Sequence, residues 1–95
     1  MNKPLILIVD DEQSICWGLT KLAENLGHAA SVASSAEQAF AIAEKQPPDA
    51  ILLDVRLPGM DGLSAMRRFR KLCEGAPIIV MTAYGDLATA VEAVR

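Results

Sequence analysis

Three runs of uninterrupted apolar residues stand out along the chain: Leu5-Ile6-Leu7-Ile8-Val9, Ala50-Ile51-Leu52-Leu53 and Ile78-Ile79-Val80-Met81. Short runs without polar alternation fit strands covered on both faces, as in a parallel sheet. Ala29-Ala30-Ser31-Val32-Ala33 is a weaker run and predicts an edge strand. Between the runs the apolar period changes to that of a helix. Ile15, Leu19, Leu22, Ala23 and Leu26 form one inward stripe, and Gly27 supplies a stop. Ser35 and Gln38 read as a capping box opening a helix with Ala36, Ala39, Phe40 and Ala43 inward, ended by Pro47-Pro48. Leu63, Met66, Phe69 and Cys73 mark a third helix closed by Gly75. Asp86 caps a fourth, with Leu87, Ala90, Val91 and Val94 inward. The order is βα repeated four times, which predicts an α/β fold with a doubly wound parallel sheet.

Ninety-five residues suit one small domain spanning 1–95, and 52% hydrophobic content suffices for a core without staples. The formal net charge of −3 and the absence of a basic run of the nucleic-acid-binding kind argue against direct nucleic-acid binding. Cys16 and Cys73 have no metal-ligand spacing and read as reduced packing residues. No apolar run approaches the ~20 residues of a membrane span. The five apolar residues after Pro4 are too few for a signal-peptide core, so the cytoplasm is the expected compartment.

The candidate chemistry follows the strands. In open parallel sheets, ligands bind beyond the carboxyl ends of the strands. Strand 1 runs into Asp10, Asp11 and Glu12, strand 3 into Asp54, and strand 4 into Thr82. If these strands are neighbours, carboxylates and a hydroxyl meet at one sheet edge. Crowded carboxylates raise one another's pKa, and a hard divalent cation offsets this. Mg²⁺ takes carboxylates, water and a substrate phosphate, whereas no His–Cys cluster suggests zinc. With such an ion, a carboxylate can attack phosphorus in line and become an acyl phosphate. Thr82 could then donate a charge-assisted hydrogen bond to a phosphoryl oxygen. Each residue also has a plainer reading: the acidic pair as a helix-start feature, Asp54 as a turn residue, Thr82 as a strand residue. Their recurrence at three separate strand ends is what favours the chemistry.

Val9-Asp10-Asp11-Glu12, Leu53-Asp54-Val55-Arg56-Leu57-Pro58-Gly59-Met60-Asp61-Gly62 and Val80-Met81-Thr82-Ala83-Tyr84 together resemble the receiver (CheY-like) domains of bacterial response regulators. The resemblance covers the whole chain, and the middle stretch is its most specific part. It implies a flavodoxin-like strand order 2-1-3-4, with the family's fifth strand and helix missing from this chain. It implies Asp54 as phosphoacceptor in two-component signalling. Mg²⁺ (or Mn²⁺) would be held by Asp10, Asp11, Asp54 and the backbone carbonyl of Arg56. Thr82 would be the switch, and Pro58, Gly59 and Gly62 would shape the adjoining loop. The partner would be a sensor histidine kinase. The family's phosphoryl-contacting lysine on strand 5 has no counterpart, because the lysines here are Lys3, Lys21, Lys45 and Lys71. The stretch from Met81 to Ala93 resembles nitrogen-regulator-type transcription activators, which implies an ATPase and helix-turn-helix effector in a parent protein. On this reading the domain is no enzyme beyond its own phosphorylation and dephosphorylation.

An exposed strand 4 would be a template for a second copy, giving a homodimer through strand 4 or the last helix. Two other readings compete. A degenerate receiver would only bind partners. A haloacid-dehalogenase-type phosphatase also uses a strand-end Asp, but wants a second Asp two residues on, where this chain has Arg56. Trp17 reads as packing or surface, His28 as a solvated turn residue and Tyr84 as a loop aromatic. Arg67, Arg68, Arg70 and Lys71 read as a solvated helix face.

Overall fold

The computed structural model describes residues 3–56 and 61–81. Seven elements follow one another: β1 (Leu5–Val9), α1 (Gln13–Asn25), β2 (Ala29–Ala33), α2 (Ala36–Lys45), β3 (Ala50–Asp54), α3 (Gly62–Leu72) and β4 (Ile78–Met81). The strands make one sheet in the order β2-β1-β3-β4, every pair parallel. β1 is central because its unbroken apolar run can be covered on both sides. The less apolar β2 takes an edge. Asp49 closes the lower end of the β1–β3 pair: its carboxylate accepts from the Leu5 N–H at 2.7 Å, and its own N–H donates to the Leu5 carbonyl at 2.7 Å. The expected fourth helix and Tyr84 lie outside the described residues.

Alternation along the strands sends Leu7, Val9, Ile51 and Leu53 to one face, where they join Ala39, Phe40 and Ala43 of α2 and Ala65, Met66 and Phe69 of α3 in the core. The Phe40 and Phe69 rings meet at 4.8 Å between centroids, tilted by 54°, and the Arg68 guanidinium lies 4.3 Å over Phe40. Of the basic residues expected on the solvated face of α3, Arg67, Arg68 and Lys71 are exposed and Arg70 is half-buried. The α2 start is a capping box with a displaced second arm. Ser35 Oγ accepts from the Gln38 N–H, while Gln38 Oε1 accepts from the N–H and hydroxyl of Ser34. Gly27 and Gly75 end their helices with φ of 85° and 87°.

α1 lies on the opposite face, against β1 and β2, and here the structure corrects the sequence reading. Cys16 and Ala23 are the buried residues of α1. Ile15, Leu22 and Leu26 of the expected inward stripe are 42%, 54% and 64% exposed, and Leu19 is half-buried. The helix seats its small residues on the sheet, which turns the larger stripe aside. On that face Ile79 of β4 is 53% exposed. Leu63 is also turned outward rather than into the core, because Ala65, Met66 and Phe69 supply the inward face of α3. His28 is half-buried with Nδ1 enclosed and without a hydrogen-bond partner, not a fully solvated turn residue. Trp17 is at the surface, and both cysteines are free and buried.

Candidate metal and phosphoryl site

β1 and β3 are adjacent with Val9 opposite Leu53, so the next residues, Asp10 and Asp54, emerge side by side. Both carboxylates are aimed by the same local device. Asp10 Oδ1 accepts from the Glu12 N–H at 2.9 Å, and Asp54 Oδ1 accepts from the Arg56 N–H at 2.9 Å. These are Asx-type turns, in which an Asp side chain bonds its own backbone two residues on. The Asp10 N–H donates to the Ala33 carbonyl at 3.0 Å, which also ties this corner to β2. Glu12 sits at the N-cap of α1 without a side-chain cap bond.

One ligand atom each from Asp10, Asp11 and Asp54 lies within 4.8 Å of the others. Asp10 is 7% exposed, Asp54 half-buried and Asp11 exposed. Burial pushes the Asp10 carboxyl above its ordinary pKa of 3.8, and the charges of Asp54, Asp11 and Glu12 add to the rise, against the Glu12 N–H bond. The donor set is oxygen-only, and its mutual repulsion is what a hard divalent cation relieves, so these residues fit Mg²⁺. The Cys16 thiol donates to the Asp10 carbonyl at 3.2 Å. Cys16 also lines, with Asp10, Asp11, Gln13, Val32, Ser34 and Gln38, a cleft of about 280 Å³ beside the acidic corner.

The sheet brings the remaining segments toward the same edge. β4 sets Met81 opposite Asp54, and the Val55 N–H approaches the Met81 carbonyl at 3.4 Å. Thr82, Pro58 and Gly59 lie outside the described residues. Gly62 opens α3 and abuts Val55, and Asp61 caps that helix, accepting from the Ser64 N–H at 2.9 Å and the Ser64 hydroxyl at 2.8 Å. Those bonds hold the Asp61 carboxyl below its ordinary pKa. Sequence reasoning missed the Cys16 bond and the Asp61 cap. The second carried a signal, an Asp three residues before a Ser at a helix start; the first carried none.

A parallel sheet with an acidic corner of this kind is the arrangement of two-component receivers, and the comparisons with known proteins agree. Residues 6–95 match the profile of the response regulator receiver domain. The sporulation initiation phosphotransferase F of Bacillus subtilis is 40% identical over 87 residues, covering 92% of this chain and 70% of that protein. The DNA-binding transcriptional regulator NtrC of Salmonella typhimurium is 33% identical over 93 residues, covering 98% of this chain. The chain spans about a fifth of that regulator's length. Among solved structures, a response regulator from Burkholderia pseudomallei, with a phosphorylated aspartic acid, calcium ion and citrate, superposes with a TM-score of 0.88 at 31% identity. It covers 96% of this chain and 54% of that one. The chain belongs to the response regulator receiver domain family. It is a CheY-like receiver domain, a regulatory phosphoacceptor module of two-component signalling with NtrC-type relatives. Receiver domains bind Mg²⁺ at an acidic Asp cluster.

Proposed function

We propose that Asp54 accepts a phosphoryl group from a phosphohistidine of a sensor kinase, with Mg²⁺ (or Mn²⁺) held by Asp10, Asp11, Asp54 and the Arg56 main-chain carbonyl. The observation that carries this reading is the convergence of three carboxylates within 4.8 Å at the ends of adjacent strands. A carboxylate oxygen of Asp54 attacks phosphorus as the bond to the donor histidine nitrogen breaks, leaving an acyl phosphate. The bound cation supplies charge neutralisation for the transferring oxygens. The chain's own residues supply the geometry. The Arg56 N–H fixes one Asp54 oxygen, and the Glu12 N–H fixes Asp10. Thr82 donates its hydroxyl to a phosphoryl oxygen of the product, and Pro58, Gly59 and Gly62 shape the loop beside it. The domain catalyses at most its own phosphorylation and dephosphorylation.

The 95 residues act as one domain, in the cytoplasm, without binding nucleic acid or membrane; among the described residues no helix is long and apolar enough to cross a membrane. In a parent protein the switch controls an ATPase and helix-turn-helix effector, a reading supported by the NtrC relative. Self-association proceeds through strand 4 or the last helix, a reading supported by the place of β4 at a border of the described sheet. Light scattering at high concentration tests this, and a monodisperse monomer would refute it. The main reading is tested by intact-mass spectrometry after incubation with Mg²⁺ and acetyl phosphate. One phosphate adduct, absent in Asp54→Asn, is expected. An adduct that persists in that variant would move the acceptor elsewhere. No adduct on the unaltered chain would favour a module that only binds partners.

A further inference from the structure

Gly62 differs from the other glycines the structure describes. Gly18, Gly27 and Gly75 have open space where a Cβ would stand, and the last two are needed for their positive φ. Gly62 has no positive φ. Instead, a Cβ on it would lie 2.7 Å from Val55 Cβ, 2.8 Å from Val55 Cγ1 and 3.1 Å from Val55 Cα. Two of these atoms belong to the stem of Val55 and cannot be moved by a rotamer change. Relief would require a shift of the backbone at Val55 or of the start of α3. The first turn of α3 would have to move as a unit, because the two bonds between Asp61 and Ser64 hold it together.

Val55 stands between the two residues on which the site depends. Before it is Asp54, and after it is Arg56, whose N–H holds Asp54 Oδ1 at 2.9 Å. A displacement of Val55 therefore rotates the peptide carrying that N–H and moves the Arg56 carbonyl with it. We infer that Gly62 is a positioning residue: its bare Cα against Val55 sets the Asp54–Arg56 turn, and through it the direction of the phosphoacceptor carboxylate and of the proposed carbonyl ligand. This rests on the reading of the acidic corner as a cation site.

The test uses Mn²⁺ binding, read by the loss of the free-ion electron paramagnetic resonance signal, with circular dichroism for folding. Helix propensity favours alanine over glycine, so on that ground alone Gly62→Ala would strengthen α3. The contact predicts the opposite at the site: Gly62→Ala weakens Mn²⁺ binding about tenfold or more, the scale seen when support of a ligand is removed. Val55→Gly, which removes both Cβ and Cγ1 and leaves only the 3.1 Å approach to Cα, changes affinity little. Added to Gly62→Ala, it restores binding to near that of the single Val55→Gly chain. Should Gly62→Ala fail to fold, the double variant must recover both folding and binding. Unchanged affinity in Gly62→Ala, or a double variant no better than Gly62→Ala, overturns the inference while leaving the cation site intact. Absence of saturable Mn²⁺ binding by the unaltered chain overturns the cation site itself and the inference with it.

Discussion

Asp10 and Asp54 hold their carboxylates in the same way on neighbouring strands, each with Oδ1 accepting a main-chain N–H from two residues further on, at 2.9 Å in both cases. The repeated turn gives two like charges a common direction at the end of the β1–β3 pair. That arrangement is unfavourable without a counter-charge, and its response to pH and metal follows from the sign of the strain.

The Asp10 carboxyl has a folded pKa above 3.8, through burial first and the neighbouring acids second. The native state therefore binds this proton more tightly than the unfolded chain does. Without metal, the Asp10 contribution to stability is fully present below the unfolded pKa and is lost as pH rises through the folded one. A divalent cation needs the ionised form, so its stabilisation shows the reverse dependence. We expect millimolar Mg²⁺ to raise Tm at neutral pH and to lose that effect as pH falls through the folded pKa of Asp10. Asp10→Asn should raise Tm in the absence of metal and blunt the response to Mg²⁺. Thermal scans across pH check both; a metal response equally large at acid pH would refute the argument.

The Asp61 cap gives a test of opposite sign. Its two bonds to Ser64 depress the carboxyl pKa, so its stabilisation is present above the ordinary carboxylate value and is lost as pH falls through the folded one. Asp61→Ala should lower Tm at neutral pH, and the deficit should shrink in acid. Asp61→Asn, which keeps an acceptor at the N-cap, should retain most of the stability. An equal loss in both variants, measured by thermal denaturation, would argue that the charge rather than the acceptor matters.

Phe69 is fully buried with its ring tilted against Phe40, so Phe69→Ala should cost about 3–5 kcal/mol. Against a total stability of about 5–15 kcal/mol for a domain, that leaves the fold marginal. Leu26→Ala, at a position 64% exposed, should change stability by no more than about 0.5 kcal/mol. Urea titration distinguishes them, and comparable losses would mean that the α1 stripe is covered in solution.

Both thiols are pushed above their ordinary pKa of 9.0, Cys16 by burial and then by Asp10 and Asp11, Cys73 by burial. The thiolate is the reactive form. Iodoacetamide at neutral pH should therefore label neither residue at an appreciable rate until the chain is unfolded. Rapid native labelling of Cys16, located by peptide mass analysis, would show that its bond to the Asp10 carbonyl is not maintained.

The strands were legible because each is a short apolar run bounded by turn-forming or charged residues, and the four described strands fall where those runs do. The inward face of α1 was legible only at Ala23. Ile15-Leu22 and Cys16-Ala23 are adjacent stripes offset by one residue and both apolar, so periodicity cannot say which one meets the sheet. Distance to β1 and β2 decides it in favour of the smaller pair. Asp10, Asp11 and Asp54 were legible because strand ends in a parallel sheet share one edge. The thiol–carbonyl bond of Cys16 and the contact of Gly62 with Val55 were not, since each depends on how closely two elements approach. Thr82, Pro58 and Gly59, outside the described residues, keep the roles their motif implies as proposals.

The strand order also separates position along the chain from position across the sheet. β1 is made first yet ends as a central strand. It meets β2 through pairs such as Leu5 with Ala29, then β3 through pairs such as Ile6 with Ala50; β4 joins β3 last, as in Ile51 with Ile78. Asp54, at the end of β3, is thus flanked on one side by the strand earliest in the chain and on the other by the latest strand described, so its surroundings draw on residues about 70 positions apart and form only when the whole sheet does.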